Sequence, residues 1–470
     1  METIIQQIAL NLAKIITEKA YSGGISDIDA LATDVLKDCK AAARAIIEAI
    51  TDELNKQIRE DKQARRKLSL KIKEKERPRR LYTALGYLDM KRDYYYDGIN
   101  ERYIAILDQV VGIEKYERIG NSVSAKLITQ AADCSYAKSV AIVTGGAISR
   151  QTVKNHIKKL KVPEKEPDQK GKAIRELHIY ADEDHAHMQR PHKEKGRKSK
   201  IIPLVTVSEG TIRQSKGRNK TINPMSFADE NFDTKSLWKS VEGYIDMAYD
   251  ASSIAKIYIH GDGGKWIKKG LETFVQKEHV MDGYHLGKYL KKLSRTFPKK
   301  NVRQRLERAI KADDKKKADS ILQELYEQAE SDKERETLSE IGKYLMGNWE
   351  SIVKRRTLDI PGSCTEAQVS HILSERFSRD PVGWSEEGLG KLVKLRVYIK
   401  NGGRITNKDF KRNRKSNVSY KEYADKVIKE NMTGATDWSI FEPEVPIFNG
   451  ASGTQVLIST YGSMRDHLIN

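Results

Sequence analysis

Two acidic groups stand where strand-like apolar runs end. In "IYIHGDGGKWI" (257–267) the run closes on His260, and Asp262 follows between glycines. Asp and Gly are common turn residues, so alone this stretch reads as a turn. A second run, "HIYADEDHAHMQ" (178–189), ends in three consecutive acids. Strand alternation puts Asp182 and Asp184 on one face and Glu183, His185 and His187 on the other. Asp182 lies nearest the apolar residues and is the preferred member, with Asp184 as the alternative. A third acid is offered by "GSCTEAQVSHILSERF" (362–377), as Glu366 or its competitor Glu375. Hard oxygen donors of this kind suit Mg²⁺, with Mn²⁺ able to substitute. Three of them around a metal pair are equipped for in-line attack on phosphodiester bonds. His178, His185, His187 and His192 lack zinc spacing and read as packed or hydrogen-bonded histidines.

For these acids to meet, distant segments must be neighbours. From 172 to 297 strand and helix patterns alternate. Strands are expected at "IRELHIYADED" and "KSKIIPLVTVSEG", with a loop or third strand near 221–227. A helix follows in "TKSLWKSVEGYIDMAYD", a strand in "AKIYIHGDG", a helix over 266–276, a strand in "EHVMDGYH" and a helix in "LGKYLKKL". The order β-β-(β)-α-β-α-β-α, with acids ending the first and fourth strands, is the layout of an RNase H-like mixed sheet. Those two strands are adjacent in that layout, so Asp182 and Asp262 can share a site although 262 − 182 = 80 residues separate them. Residues 298–350 are charged and helical, an insertion before the core resumes at 351–400.

Upstream lie regions of another character. Residues 1–76 read as helix almost throughout, with Pro78 closing a basic N-terminal region of 1–80. A small Tyr-rich hairpin is expected within 81–120, its tyrosines packing on one another. Within 121–165, a short apolar helix (137–143) meets Gly145-Gly146, and Ser149 is placed to cap a second helix. That helix buries Val153, Ile157 and Leu160 and leaves a polar, basic face. The arrangement reads as a helix-turn-helix, its second helix entering the major groove. Arg150 and Gln151 can reach base edges, Lys158 and Lys159 suit phosphates, and Lys154 and Asn155 complete the DNA-binding face. Residues 161–172 form a polar linker, and 401–470 a basic tail. The chain is thus a multidomain α/β protein.

Charge points the same way. The 470 residues hold 85 Lys+Arg against 66 Asp+Glu, a formal net charge of +19. Such a balance fits a polyanionic partner, nucleic acid first. It is clustered: residues 56–80 carry twelve Lys/Arg against four Asp/Glu, including Arg65, Arg66 and Lys67. A second cluster holds Lys408, Lys411, Arg412, Arg414 and Lys415. Three cysteines, Cys39, Cys134 and Cys364, are too few and too scattered for a disulfide framework. With no signal peptide or membrane span expected, the reading is a cytoplasmic protein.

Six motifs stand in one order: "LGYLDMKRDYYYD", "ISRQTVKNHI", "YADEDHAHMQ", "IHGDGGKWI", "MDGYHLGKYL" and "CTEAQVSHILSERFSRDPVGWS". In this the chain resembles the ISLre-type insertion-sequence transposases of bacteria, over nearly its whole length. The resemblance implies a DDE transposase related to the Mutator-type group, with an RNase H-like catalytic domain interrupted by a helical insertion. It carries the DDE roles onto Asp182, Asp262 and Glu366, and that group's Asp-x-x-His signature onto Asp282 and His285. It further implies double-stranded DNA as partner, both terminal inverted repeats and target, and a homodimer or higher oligomer on that DNA. An RNase H-like nuclease without strand transfer, or a non-catalytic helix-turn-helix regulator, is the alternative.

Overall fold

The computed structural model describes residues 2–22, 27–189, 199–215, 218–358, 364–380 and 382–410. The chain forms two compact units that meet in sequence between Gly120 and Asn121, the second running to Arg412. None of the described helices is long and apolar enough to cross a membrane.

In the first unit, helix α1 (Glu2–Ser22) packs on α2 (Ile28–Glu60), which Asp27 caps by accepting from Asp29 and Ala30 N–H. After a short α3 (Lys62–Lys67) come strands β1 (Leu70–Thr83), β2 (Gly86–Asp97) and β3 (Arg102–Ile104), an antiparallel sheet in that order, and then α4 (Ile106–Val110). Leu54 and Ile58 of α2 close over Leu70, Tyr95 and Ile104 on one face of the sheet. Buried Asp93 is satisfied by Asn55 Nδ2 (3.1 Å) and Arg59 Nε (2.7 Å). Two expectations are corrected here. Residues 70–76 are strand, not helix, and Pro78 lies inside β1, which is an edge strand where a missing N–H is tolerated.

The second unit begins with three packed helices, α5 (Asn121–Asp133), α6 (Tyr136–Thr144) and α7 (Arg150–Lys159). Gly145, in the left-handed region at φ 59°, caps α6, and Ser149 caps α7 through Thr152 N–H. Then follow β4 (Glu176–His187), β5 (Ser199–Ser208), a hairpin of β6 (Thr211–Ser215) and β7 (Arg218–Thr221), β8 (Met225–Phe227) and α8 (Thr234–Ala248). The unit continues with β9 (Lys256–Gly261), α9 (Lys265–Leu271), β10 (Lys277–Met281) and α10 (Gly283–Thr296). A mixed five-stranded sheet has the order β10-β9-β4-β5-β8. β4 is parallel to β9, and β9 to β10, whereas β4–β5 and β5–β8 are antiparallel. On one face, Leu177, Ile179, Ala181, Ile257 and Ile259 form a core with Leu237, Trp238 and Val241 of α8.

The helical stretch comprises α11 (Val302–Lys311), α12 (Lys315–Glu327), α13 (Asp332–Gly347) and α14 (Trp349–Thr357). Its apolar stripes share one core with Met281 and Leu286, so it is anchored on the end of β10 and on α10. The chain returns as α15 (Thr365–Val369), a π-helical turn over Ser370–Ser374, α16 (Glu375–Phe377) and α17 (Glu386–Lys400). Four details differ from expectation. The β6–β7 hairpin is additional, the helix after Asp262 stops at Leu271, the insertion runs to Thr357, and Asp182 is mid-strand because β5 pairs with β4 as far as His187.

Candidate active site

Strand register gathers the carboxylates. Tyr180 pairs with His260, and Gly261 with Met281; continuing that register sets Asp182 of β4 level with Asp262 and Asp282, the residues just past the ends of β9 and β10, as one row. In parallel strands, residues in register project to the same face. Continuity at the row is kept by Asp282 N–H, which donates to Gly261 C=O (3.0 Å). Gly261 allows the close approach: a Cβ there would stand 2.9 Å from Ala181 O. Gly263 has φ +81°, a backbone suited to glycine, and a Cβ there would lie 2.7 Å from Asn348 Oδ1.

Each acid is oriented by local donors. Glu183 N–H donates to Asp182 Oδ1, and Gly264 N–H to Asp262 Oδ1, both at 2.8 Å. Asp282 caps α10 by accepting from His285 N–H, and its Oδ2 lies 3.1 Å from His285 Nδ1. The apolar pattern extends the preceding strand through His285; in the structure it ends at Met281, and Gly283 begins the helix.

The group is electrostatically strained. Asp182 is only 6% exposed, and burial pushes its carboxyl up to about 7. The Glu183 hydrogen bond and His285 oppose this rise, while Asp262 and Asp282 reinforce it. His285 is raised as well: the hydrogen bond to Asp282 lifts it against burial, with the charges of Asp182 and Asp262 helping. Tyr344 of α13 also feels Asp262 and Asp282, and with burial this raises its phenol. The insertion therefore reaches the row, through Tyr344, Asn348 beside Gly263, and Arg355, which donates to Met281 C=O (3.3 Å) and covers Gly283. No sequence pattern marked these three residues. Asp282 did carry a signal, since "IHGD" and "HVMD" both end an apolar strand on aspartate.

Not all expected members join. Glu366 sits exposed in the first turn of α15, whose Gln368 donates to Thr221 Oγ1 (3.2 Å) on β7. Glu375 is held by buried Arg396 (3.3 Å) and His371 (2.9 Å). Asp184 accepts from Ser378 Oγ (2.8 Å), and Glu183 from Trp266 Nε1 (2.8 Å), with Trp266 half-buried. Among the described residues no three His, Cys, Asp or Glu side chains are grouped closely enough to hold a metal ion. The donor chemistry of the Asp182–Asp262 pair nevertheless fits a hard divalent cation: oxygen donors only, with negative charge in excess of what His285 offsets.

With the geometry defined, comparison with known proteins places the chain. The model of the uncharacterised protein family UPF0236 matches residues 24–414. The chain belongs to this family. It is 36% identical over 434 residues (91% of this chain, 90% of the relative) to a UPF0236 protein of Caldanaerobacter subterraneus subsp. tengcongensis whose name gathers eleven loci. Another UPF0236 protein of that organism, gathering four loci, is 35% identical over the same length. Such multiplicity in one genome is typical of mobile elements. A UPF0236 protein of Streptococcus gallolyticus is 24% identical over 321 residues, 64% of this chain and 68% of the relative. Among solved structures, a Drosophila P element transposase strand transfer complex aligns at 10% identity over 70% of this chain and 96% of that chain. Its TM-score of 0.23 is too low to carry an argument.

The family match spans nearly all the basic residues singled out above. On α7, Arg150, Gln151, Asn155 and Lys159 are exposed, with Gln151 donating to Asn155 Oδ1 (3.0 Å). Lys154 is half-buried, and Lys158 is drawn into an ion pair with Glu387 of α17, so it does not stand as a spare phosphate ligand. In the first unit, Arg66 and Lys67 are exposed on α3 and Arg65 is half-buried. Lys408 lies in a 3₁₀ turn over Asn407–Phe410, whereas Lys411, Arg412, Arg414 and Lys415 fall outside the described residues.

Proposed function

We propose that this protein is a DDE transposase that cuts the terminal inverted repeats of an insertion sequence of the ISLre type and joins them to target DNA. The observation that carries the reading is the row Asp182, Asp262, Asp282 across three adjacent strands, with Asp182 held up to about 7. Perturbed carboxylates in such a cluster mark functional sites. Support comes also from the mixed five-stranded sheet in the order β10-β9-β4-β5-β8 followed by a helical stretch, with which an RNase H-like reading is compatible, from the net charge of +19, and from the multiplicity of relatives in one genome.

In this reading Asp182 and Asp262 hold Mg²⁺ or Mn²⁺, with Glu366 as the third ligand that the resemblance assigns and Asp184 the alternative to Asp182. When bound, the metal supplies Lewis acidity at the phosphodiester. The protein's own groups do the rest. The hydrogen bond to Asp282 raises the proton affinity of His285, which favours a positive charge beside the row where phosphate charge develops. Each chemical step exchanges one P–O bond for another, with water and then a 3′-hydroxyl as nucleophile, so no covalent protein intermediate is required. The exposed face of α7 and the basic residues Arg65, Arg66 and Lys67 meet DNA, and recognition of two element ends calls for a homodimer or higher oligomer.

The test is a strand-transfer assay with labelled element ends, target plasmid and Mg²⁺. Joined products that vanish in Asp182→Asn and Asp262→Asn support the reading. Cleavage without joining would make the protein a nuclease, and repeat binding with neither would make it a regulator.

A further inference from the structure

The three-stranded sheet of the first unit has two faces of opposite character. One is filled by Tyr95, buried completely, with Leu70 and Ile104 against α2. Tyr94 and Tyr96, its neighbours on β2, point to the other face, where they are half-buried and, among the described residues, lie outside the core cluster that α2 closes. Tyr96 pairs in register with Tyr103 on β3, which is 54% exposed. The rings of Tyr94 and Tyr103 are parallel, 5.9 Å apart with 4° between planes, and Tyr96 meets Tyr103 at 5.4 Å.

Cations are interleaved with these rings. Lys73 lies over Tyr96 (5.6 Å), and Arg77 over Tyr94 (5.0 Å). Exposed Lys71 stands opposite Tyr96 in the β1–β2 ladder. Glu74, which pairs with Tyr94 in that ladder, is taken up by Arg77 (3.4 Å). A solvated charge run would not need three tyrosines beneath it, and although these rings pack on one another, the cluster keeps Tyr103 exposed with lysines at its rim. Aromatic faces flanked by phosphate-seeking cations are the elements by which sheets hold unpaired bases. Duplex bases are stacked on one another and offer no free faces to such rings. Tyr94 and Tyr96 are two residues apart along β2, roughly 6.6 Å, a step comparable with that of successive nucleotides in an extended strand.

We propose that this face, centred on Tyr94, Tyr96 and Tyr103 with Lys71, Lys73 and Arg77, binds a single-stranded polynucleotide. The inference is independent of the carboxylate row and stands or falls without any cleavage activity.

The full-length chain is titrated into fluorescein-labelled oligo(dT), oligo(U) and a hairpin duplex of about twenty nucleotides each, following polarisation. Joint replacement Tyr94→Ser, Tyr96→Ser, Tyr103→Ser should weaken oligo(dT) binding by about tenfold or more, from ~1–3 kcal/mol per stacked base. Duplex affinity should stay within about twofold, since its contacts are to phosphates elsewhere. The matching triple Phe variant should bind like wild type, because stacking does not require the hydroxyl. Lys71→Ala or Lys73→Ala should reduce the salt slope by about 0.7 for each phosphate left unneutralised. Preference between oligo(dT) and oligo(U) separates DNA from RNA as the natural strand. Unchanged oligo(dT) affinity in the Ser variant overturns the proposal, as does equal loss of duplex binding. Should the Ser variant not fold, photocrosslinking of an iodouracil-bearing strand to the wild-type chain decides: adducts on Tyr94, Tyr96 or Tyr103 support the face, and adducts only elsewhere exclude it.

Discussion

Replacing Asp182 by Asn isolates the free energy stored in the carboxylate row. In the folded chain burial moves this carboxyl from an ordinary 3.8 to about 7. A folded-state value above the unfolded one means that the native protein binds the proton more tightly. The stabilisation is complete below pH 3.8, is lost progressively as pH rises, and is gone above about 7. A shift of about 3 units at 1.36 kcal/mol per unit comes to ~4 kcal/mol. Asn keeps the shape and can still accept from Glu183 N–H, but carries no charge at any pH. Urea unfolding in the presence of a chelator, followed by tryptophan fluorescence, suits the second unit, where Trp238, Trp266, Trp349 and Trp384 all lie. Near pH 4 variant and wild type should differ by under ~1 kcal/mol, and at pH 8 the variant should be more stable by ~4 kcal/mol. Mg²⁺ should then narrow the gap by stabilising only the wild type, through its preference for the native state. A difference that does not change between pH 4 and pH 8 would refute the account of Asp182 as a buried, uncompensated acid.

Three further outcomes are expected. His285→Gln should abolish cleavage while melting within a few degrees of wild type; loss of both together would mean that His285 serves packing alone. Its raised protonation also predicts that its contribution to stability is full below pH 6.5 and fades as pH climbs through the higher native value, measurable as the pH dependence of the wild-type-minus-variant difference. On α7, Lys159→Ala should lower the salt dependence of repeat binding by about one unit, and Lys158→Ala by less, because Lys158 already faces Glu387; equal effects would contradict that pairing. Gly390→Ala would drive a Cβ to 1.8 Å from Glu230 O, a backbone atom, and should cost ~3 kcal/mol in chemical denaturation, against near neutrality for the open position Gly287.

Much of the fold was legible because periodicities were clean. Leu177, Ile179 and Ala181 alternate with His178, Tyr180 and Asp182, and the structure puts the first set in the core and the second on the other face. Ser149 and Gly145 bracketed α7 and α6 as their capping chemistry requires. The basic stretch before Pro78 reads as helix and folds as strand. Lys and Glu are good helix formers, and with few apolar residues the two-residue alternation of "LKIKEKE" goes unnoticed. The strand is settled by pairing with the tyrosines of β2, a long-range contact that propensity does not record.

Asp182 and Asp262 stand out in the sequence as acids following apolar strand runs, whereas Asp282 enters only through the resemblance, as part of an Asp-x-x-His signature. Asp182 and Asp262 stand at matching positions two residues beyond the stretch over which β4 and β9 pair. Asp282 fell one strand further on, at a position where the chain turns into α10 with Asp as N-cap. A capping aspartate usually serves its own helix, and here it does accept His285 N–H. What a cap does not explain is its field: Asp282 adds to the rise that burial gives Asp182, and its hydrogen bond raises His285, so it acts on both groups. Glu366, by contrast, is exposed in the first turn of α15, a helix that packs against β4, and one substitution sorts the two. If Asp282 is part of the active centre, Asp282→Ala should eliminate cleavage and should also drop the protonation of His285 toward an ordinary histidine, visible in its imidazole NMR titration. Asp282→Asn, which keeps a cap acceptor but not the charge, should restore folding without restoring activity. Activity surviving in Asp282→Asn would reduce Asp282 to a helix cap and return the third place to Glu366.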